Sequence, residues 1–171
     1  MILYVLRHAE AVEAAEKLSD DWRYLTEKGI KSVVRISQDL PRYGRKPRLI
    51  VTSPLVRAVQ TAQIAAGQAC RKNELIVSGL LRSDSEITEL QDFLRSRSEA
   101  KRVMVVGHEP HLGLLVASLL QTDEPIQLKK AGCVALEIDM EEADKPAKFL
   151  WYMEPGKKPV KSFKKAFALI H

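Results

Sequence analysis

Two strand-like segments dominated by consecutive apolar residues, residues 2–6 and 102–106, constrain the fold of this chain most strongly. An apolar run of this kind is typical of a strand buried on both faces of a parallel sheet. Two further segments of the same kind, residues 48–52 and 75–77, alternate with stretches of helical periodicity. This alternation predicts an α/β fold, a three-layer α/β/α sandwich with a mostly parallel central sheet.

Local signals predict where the helices begin and end. Thr26 is expected to cap the first helix, which Pro41 and Gly44 should end. Ser53 and Pro54 are typical of a helix start, and residues 83–86 have the spacing of a capping box. The predicted helices cover residues 26–40, 53–69 and 83–97, and a fourth begins at Pro110.

The last part of the chain changes character. Residues 134–140 and 149–153 are separated by a polar stretch and predict a hairpin at the edge of the sheet. A Lys-rich segment follows. The expected organisation is therefore one domain over residues 1–155 and a C-terminal tail over residues 156–171.

The positive charge of the chain is concentrated in that tail. Residues 145–171 hold seven lysines and one acid, a charge of +6, so residues 1–144 carry −1 of the total of +5. A nearly neutral body excludes a basic nucleic-acid-binding fold. Phe163, Phe167 and Ile170 lie near helical spacing. The tail is therefore expected to form a short amphipathic helix or to pack loosely on the body.

The two cysteines and the apolar runs indicate the environment of the protein. Cys70 and Cys133 lie in no CxxC motif and are expected to be buried and reduced. The first residues become charged too soon for a signal peptide, and the longest apolar run, residues 112–120, is too short for a membrane span. The sequence predicts a cytoplasmic protein without a membrane span.

Four cationic or potentially cationic side chains follow three of the predicted strands: Arg7 and His8, then Arg57, then His108. Because the carboxyl ends of parallel strands form one edge of a sheet, we expect these residues to meet there. Arginine presents a fork of donors that matches phosphate oxygens, and imidazole can attack phosphorus near neutral pH. No cluster of Mg²⁺-binding carboxylates is visible, so the arginines are expected to neutralise the phosphate. The pattern predicts a site for a dianionic phosphoryl group.

Three segments that contain these residues closely resemble the signatures of the histidine phosphatase superfamily. They are LRHAEA at residues 6–11, TSPLVRAVQTA at residues 52–62 and VVGHEPHL at residues 105–112. Within the superfamily, the short chain and the segment RYLTEKG at residues 23–29 are similar to the SixA branch of phosphohistidine phosphatases. The resemblance covers about residues 1–155 and implies a phosphoglycerate-mutase-like fold.

The resemblance also implies roles for the four residues. His8 would be the nucleophile that becomes phosphorylated, Arg7 and Arg57 would bind the phosphate, and His108 would complete the catalytic pocket. No metal or other cofactor is implied. One departure concerns Ala9, which replaces the usual glycine after the histidine. Because alanine avoids positive φ, Ala9 is expected to have a negative φ.

The second departure concerns the general acid. Relatives that act on sugar phosphates place a glutamate after the third strand, whereas residues 79–82 read Gly-Leu-Leu-Arg. Glu10, Asp84 and Glu86 are the nearest candidate acids, and each is equally explained as a helix-start or solvated residue. An imidazole leaving group needs less protonation than an alkoxide, so a site without a firm acid favours P–N over P–O cleavage.

The preferred hypothesis is therefore a phosphohistidine phosphatase that acts on a phosphorylated protein, a histidine phosphotransfer or signalling component. The roughly thirty residues between Cys70 and Arg102 leave no room for a lid domain, and an open rim would admit a side chain of another protein. Two alternative functions stay open. One is a metal-independent phosphomonoesterase for a small metabolite, and the other is a module that binds phosphorylated partners without turnover. The Lys-rich tail suggests a third possibility, an accessory contact with an acidic protein, a membrane or nucleic acid.

Overall fold

A single six-stranded sheet forms the centre of the computed structural model, which describes residues 1–69, 73–142 and 144–168. Its strands are β1 (Ile2–Arg7), β2 (Leu49–Thr52), β3 (Glu74–Val77), β4 (Arg102–Gly107), β5 (Cys133–Glu137) and β6 (Lys148–Met153). The strand order is β3-β2-β4-β1-β5-β6. The first four strands in this order are parallel, whereas β5 runs antiparallel to both β1 and β6. The predicted, mostly parallel sheet and its edge hairpin are confirmed.

Helices cover both faces of this sheet. They are α1 (Glu27–Tyr43), α2 (Val56–Ala69), α3 (Ile87–Ser96), α4 (His111–Leu120) and the single turn α5 (Phe163–Ala166). Successive residues of β1 show the two layers, because side chains alternate across a strand. Leu3 packs in the cluster that contains residues of α3 and α4, and Tyr4 packs in the cluster that contains residues of α1 and α2. The predicted three-layer sandwich is therefore confirmed.

The first helix begins where the sequence predicts and ends later. The Thr26 hydroxyl oxygen accepts the backbone N–H of Gly29 at 3.0 Å, which confirms the N-cap. The prediction that Pro41 ends the helix is wrong, since α1 includes it and extends to Tyr43, whereas Gly44, the other predicted breaker, is the C-cap. Proline in the last turn removes one backbone donor only, and the N–H of Gly44 closes the helix on the carbonyl of Leu40.

Two other predicted helix starts need correction. Helix α2 begins at Val56 rather than at Ser53, whose hydroxyl is engaged in a contact described below. The capping box over residues 83–86 is wrong, because α3 has Glu86 as its N-cap and no side chain there bonds the helix backbone. The Ser85 hydroxyl instead donates to the carbonyl of Gly79 at 2.7 Å.

The tail packs against the edge strand β6. Val160 and Tyr152 exchange two backbone hydrogen bonds of 2.8 and 2.9 Å. Phe163 and Phe167 then lie edge-on against Phe149, with ring centroids 5.7 and 6.1 Å apart from it. Between the two expectations for the tail, the structure therefore shows a single helical turn anchored by aromatic contacts.

The remaining expectations concern the cysteines and the membrane. Cys133 is fully buried and unpaired, and burial raises the pKa of its thiol. Cys70 and Ile170 lie outside the described residues. In the part of the chain that the structure describes, no helix has the length and apolar character needed to cross a membrane.

Candidate active site

Two histidines from neighbouring strands face each other at the carboxyl edge of the sheet. His8 follows β1 and His108 follows β4, and their rings lie 5.0 Å apart between centroids at an angle of 53°. Two arginines lie near enough to lower the pKa of His8 by their charge. They are Arg57, from the first turn of α2, and Arg7, the last residue of β1. The parallel pairing of β1 with β4 and β4 with β2 explains this meeting, since it aligns three strand ends.

The backbone determines which nitrogen of His8 carries the proton. Its Nδ1 lies 2.7 Å from the carbonyl oxygen of Ala9. A carbonyl oxygen can only accept, so Nδ1 must donate and the neutral ring keeps its lone pair on Nε2. His8 therefore presents an unprotonated nitrogen, which is the form that a nucleophile requires.

A serine determines the tautomer of His108 in the same way. The Ser53 hydroxyl lies 2.7 Å from Nε2 of His108, and its oxygen also accepts a weak 3.4 Å bond from the N–H of Leu55. Because the Ser53 hydroxyl has no other acceptor among the described residues, its proton is directed to Nε2, and Nδ1 of His108 carries the ring proton. This Nδ1 is buried and has no partner. It is a free donor for an anionic ligand.

Both rings are neutral at physiological pH. Burial is the main cause that lowers the pKa of His8 to about 4. The hydrogen bond to the carbonyl of Ala9 raises this pKa, whereas the positive charges of Arg57, Arg7 and Arg23 lower it further. Burial, then the repulsion that a protonated His8 would exert, and the charges of Arg57 and Arg82 lower the pKa of His108 to about 3, whereas the charge of Asp20 raises it. An anion bound among these residues would offset that repulsion.

The two arginines leave donors free within the site. In the described part of the chain, the buried side-chain nitrogens and oxygens without a hydrogen-bond partner are Nε of Arg7, Nε of Arg57 and Nδ1 of His108. Buried donors without partners are rare in native proteins and call for an explanation such as an unfilled ligand site. All three belong to residues around His8, and all three donate, so the chemistry matches an oxyanion.

Backbone carbonyls hold the far end of each guanidinium. Nη1 of Arg7 donates to the carbonyl of Leu128 at 2.7 Å, and the N–H of Leu128 donates to the Glu109 carboxylate at 3.1 Å. Burial raises the pKa of Glu109. The segment that carries Leu128 approaches α4 so closely that a Cβ on Gly113 would collide with the carbonyl oxygen of Ile126.

The position of the unusual alanine is compatible with the site. Ala9 is fully buried and is not one of the described residues with a positive φ, so the expectation of a negative φ is confirmed. Its N–H donates to the Thr61 hydroxyl oxygen at 3.3 Å, and that hydroxyl donates to the carbonyl of Arg57 at 2.7 Å. Ala9 therefore links the loop after β1 to helix α2.

Sequence comparison places the chain among known proteins. Residues 3–82 match the sequence model of the histidine phosphatase superfamily, branch 1. An uncharacterised protein of Picosynechococcus is 36% identical over an alignment of 143 residues, which covers 80% of this chain and 84% of that protein. The chain belongs to the histidine phosphatase superfamily. This membership supports a phosphatase, a hydrolase acting on phosphoryl groups.

Solved structures place this histidine phosphatase near two proteins of different substrate class. The protein histidine phosphatase SixA complexed with tungstate has a TM-score of 0.81 at 23% identity, over 91% of this chain and 97% of that one. A mycobacterial glucosyl-3-phosphoglycerate phosphatase complexed with VO3 has a TM-score of 0.64 at 18% identity, over 86% and 95%. At these identities the likeness shows the fold.

Two of the three candidate acids of this histidine phosphatase, Glu10 and Asp84, have other partners. Glu10 accepts from the Thr26 hydroxyl and from Lys28, both at 3.1 Å, and these bonds, led by that of Lys28, lower its pKa. Asp84 is exposed and lies 3.6 Å from Arg82, and exposed Glu86 is the N-cap of α3. None of the three makes a described hydrogen bond to the two histidines.

The structure adds a carboxylate that the sequence analysis missed. Asp20 contacts Arg57 through both its carbonyl and its side chain. It lies in an irregular segment without apolar periodicity, so no sequence pattern indicated the contact. Ser53 had been interpreted as a helix cap, and its serine-proline signal concealed the contact with His108. In the described part of the chain, no group of three or more His, Cys, Asp or Glu is placed to hold a metal ion.

Proposed function

We propose that this histidine phosphatase dephosphorylates a phosphohistidine on another protein through a phospho-His8 intermediate. One observation carries the proposal: a neutral His8 with a free Nε2 lies among three buried nitrogens that have no partner. Those nitrogens, from Arg7, Arg57 and His108, would bind the equatorial oxygens of a phosphoryl group. Donors aimed at developing negative charge are the largest contribution to many phosphoryl transfers.

The reaction proceeds in two balanced steps. Nε2 of His8 attacks phosphorus in line, a new P–N bond forms, and the P–N bond to the substrate imidazole breaks. The electron pair returns to the substrate nitrogen. If the other nitrogen of that ring is protonated, the group leaves as neutral imidazole. Water then attacks phospho-His8, the lone pair returns to Nε2, and the water proton leaves with phosphate or solvent.

Two carboxylates near the site, Glu10 and Asp20, support P–N over P–O cleavage, and the Glu109 carboxylate is engaged by the N–H of Leu128. Hydrogen bonds from Lys28 and from Arg57 are the largest influences that lower the pKa of Glu10 and of Asp20, so both are ionised near neutral pH. Neither is therefore a ready proton donor. An alkoxide leaving group gains about 10²–10⁴-fold from general acid catalysis, whereas imidazole leaves without it. Glucosyl-3-phosphoglycerate phosphatase shares the fold, so a metabolite phosphatase is the alternative to test.

The test compares three substrates with purified full-length protein. A phosphorylated histidine phosphotransfer domain, para-nitrophenyl phosphate and a sugar phosphate are hydrolysed under identical conditions. We expect the highest kcat/KM for the phosphohistidine protein. A higher kcat/KM for the sugar phosphate would overturn the protein substrate and establish the metabolite phosphatase.

The intermediate is tested in a second experiment. The enzyme is mixed with labelled substrate and denatured in alkali, because P–N bonds survive base and hydrolyse in acid. We expect label on the wild type and none on His8→Asn, which keeps the bond to the carbonyl of Ala9. His111→Gln is the matched control, since His111 contacts the carbonyl of Leu80 instead of the site. Label on His8→Asn would show that another group is the nucleophile.

A further inference from the structure

Arg57 is held from the solvent side by a single residue. Asp20, in the short 3-10 turn Asp20–Trp22, receives two hydrogen bonds from it. Nη1 of Arg57 donates to the carbonyl of Asp20 at 2.6 Å, and Nη2 donates to its Oδ2 at 2.9 Å. Arg57 is buried, with only 6% of its surface exposed. Its remaining nitrogen, Nε, has no partner.

We propose that Asp20 is a positioning residue that orients Arg57 so that its Nε edge faces the phosphoryl group. This inference rests on the proposed function, because it assigns Arg57 to the phosphate site. An arginine binds phosphate best through two parallel N–H groups, which requires a fixed plane. A clamp on both Nη atoms fixes that plane and leaves Nε and the adjacent Nη2 hydrogen for the ligand.

Arg7 shows the same arrangement, which supports a common purpose. Its Nη1 is held by the carbonyl of Leu128 at 2.7 Å, and its Nε is also buried without a partner. In both arginines a carbonyl restrains the far end of the guanidinium and the near nitrogen stays free. Arg57 has in addition the charge of the Asp20 carboxylate.

Asp20 is itself held in place, although its side chain is 57% exposed. Its Oδ1 accepts from Nη1 of Arg23 at 2.9 Å, and Nε of Arg23 donates to the carbonyl of Val12 at 2.7 Å. The clamp is thus tied to the chain that follows His8. The bond from Arg57 is the largest cause of the lowered pKa of Asp20, which keeps the clamp charged.

The test measures phosphate binding and turnover in variants of Asp20. Inorganic phosphate is titrated calorimetrically, and kcat and KM are measured on the phosphohistidine protein and on an alkyl phosphate. We expect Asp20→Ala to weaken phosphate binding about tenfold and to lower kcat/KM about 10²-fold, the cost of a small misplacement of a catalytic group. Asp20→Asn retains an acceptor oxygen and should lose less.

Two controls separate positioning from a general effect. Asp21→Asn removes a neighbouring charge whose carboxylate lies 3.6 Å from Arg82, and it should stay within about twofold of wild type because it does not contact Arg57. In an Arg57→Ala background, Asp20→Ala should have no further effect, since Asp20 acts through Arg57. Thermal unfolding verifies that each variant folds. If Asp20→Ala does not fold, phosphate binding and turnover are compared between the wild type and Asp20→Asn.

Three results would overturn the inference. Tighter phosphate binding by Asp20→Ala would mean that the carboxylate competes with phosphate. An equal loss in Asp20→Asn and Asp20→Ala on alkyl phosphates alone would mean that Asp20 is a proton donor. If Asp20→Ala and Asp20→Asn both bind phosphate and turn over substrate like the wild type, Asp20 has no positioning role. A wild type that binds phosphate but leaves phosphohistidine intact would overturn the proposed substrate instead, while the phosphate titration still tests the clamp.

Discussion

Replacing His8 by asparagine should make the protein less sensitive to acid. Burial lowers the pKa of His8 to about 4, so the folded protein excludes a proton that the unfolded chain binds with an ordinary pKa of about 6.5. The free energy of unfolding therefore falls as the pH drops below about 6.5, and it continues to fall until about pH 4. Asparagine does not titrate and can still donate to the carbonyl of Ala9.

The size of the effect follows from that difference in pKa. At about pH 5 the unfolded histidine is about 1.5 pH units below its pKa, whereas at about pH 7.5 it is unprotonated. Protonation stabilises the unfolded chain by roughly 1.4 kcal/mol for each pH unit below that pKa. The folded state gains almost nothing until the pH approaches 4. Because of His8, the free energy of unfolding of the wild type should therefore fall by about 2 kcal/mol over this range. This contribution should be absent from His8→Asn.

Urea unfolding of wild type and His8→Asn at the two pH values measures this quantity. The relevant result is the difference between the two pH-induced losses, since the other titrating groups are common to both proteins. His108 keeps a lowered pKa in the variant, because burial is its largest cause. Equal losses within about 0.5 kcal/mol would refute the reasoning, since they would mean that His8 is charged in the folded protein at pH 5.

Two further predictions concern the tautomer of His108 and the tail. Ser53→Ala should lower kcat/KM about tenfold in steady-state assays, because nothing would then direct the proton to Nδ1 of His108. Ser85→Ala, which loses only a bond to a loop carbonyl, is the control. An equal loss of kcat/KM in Ser85→Ala would contradict the role of Ser53. Deletion of residues 156–171 should leave kcat on para-nitrophenyl phosphate unchanged. It should lower Tm by several degrees, because it removes the aromatic contacts of Phe167. A loss of kcat with an unchanged Tm would contradict this prediction.

The parts of the fold that were predictable depend on repeated patterns. The apolar runs of β1 and β4 specify buried strands, and parallel pairing then forces His8 and His108 to the same edge. Thr26 was predictable as a cap because its side chain bonds within its own turn. Such features depend on neighbours in sequence, which a pattern can show.

The parts that were not predictable depend on contacts between distant residues. Ser53 was expected to cap a helix, but its hydroxyl bonds a histidine 55 residues away. Asp20 reaches Arg57 across 37 residues from a turn without periodicity. Pro41 was expected to end α1, yet the loss of one donor in a last turn is too small to end a helix that is packed on the sheet. Tertiary contacts outweighed the local preference at Ser53 and Pro41, whereas at Asp20 there was no local preference to read.

The pairing of Val160 with Tyr152 has a consequence for how the protein behaves among its own copies. An unprotected outer strand offers a row of free backbone groups to any other extended chain, which is a common route to aggregation. In this protein the returning C-terminal segment occupies part of that margin on β6 with its own hydrogen bonds. The opposite margin, β3, is only four residues long and begins with an exposed glutamate, which is a second way to discourage such association.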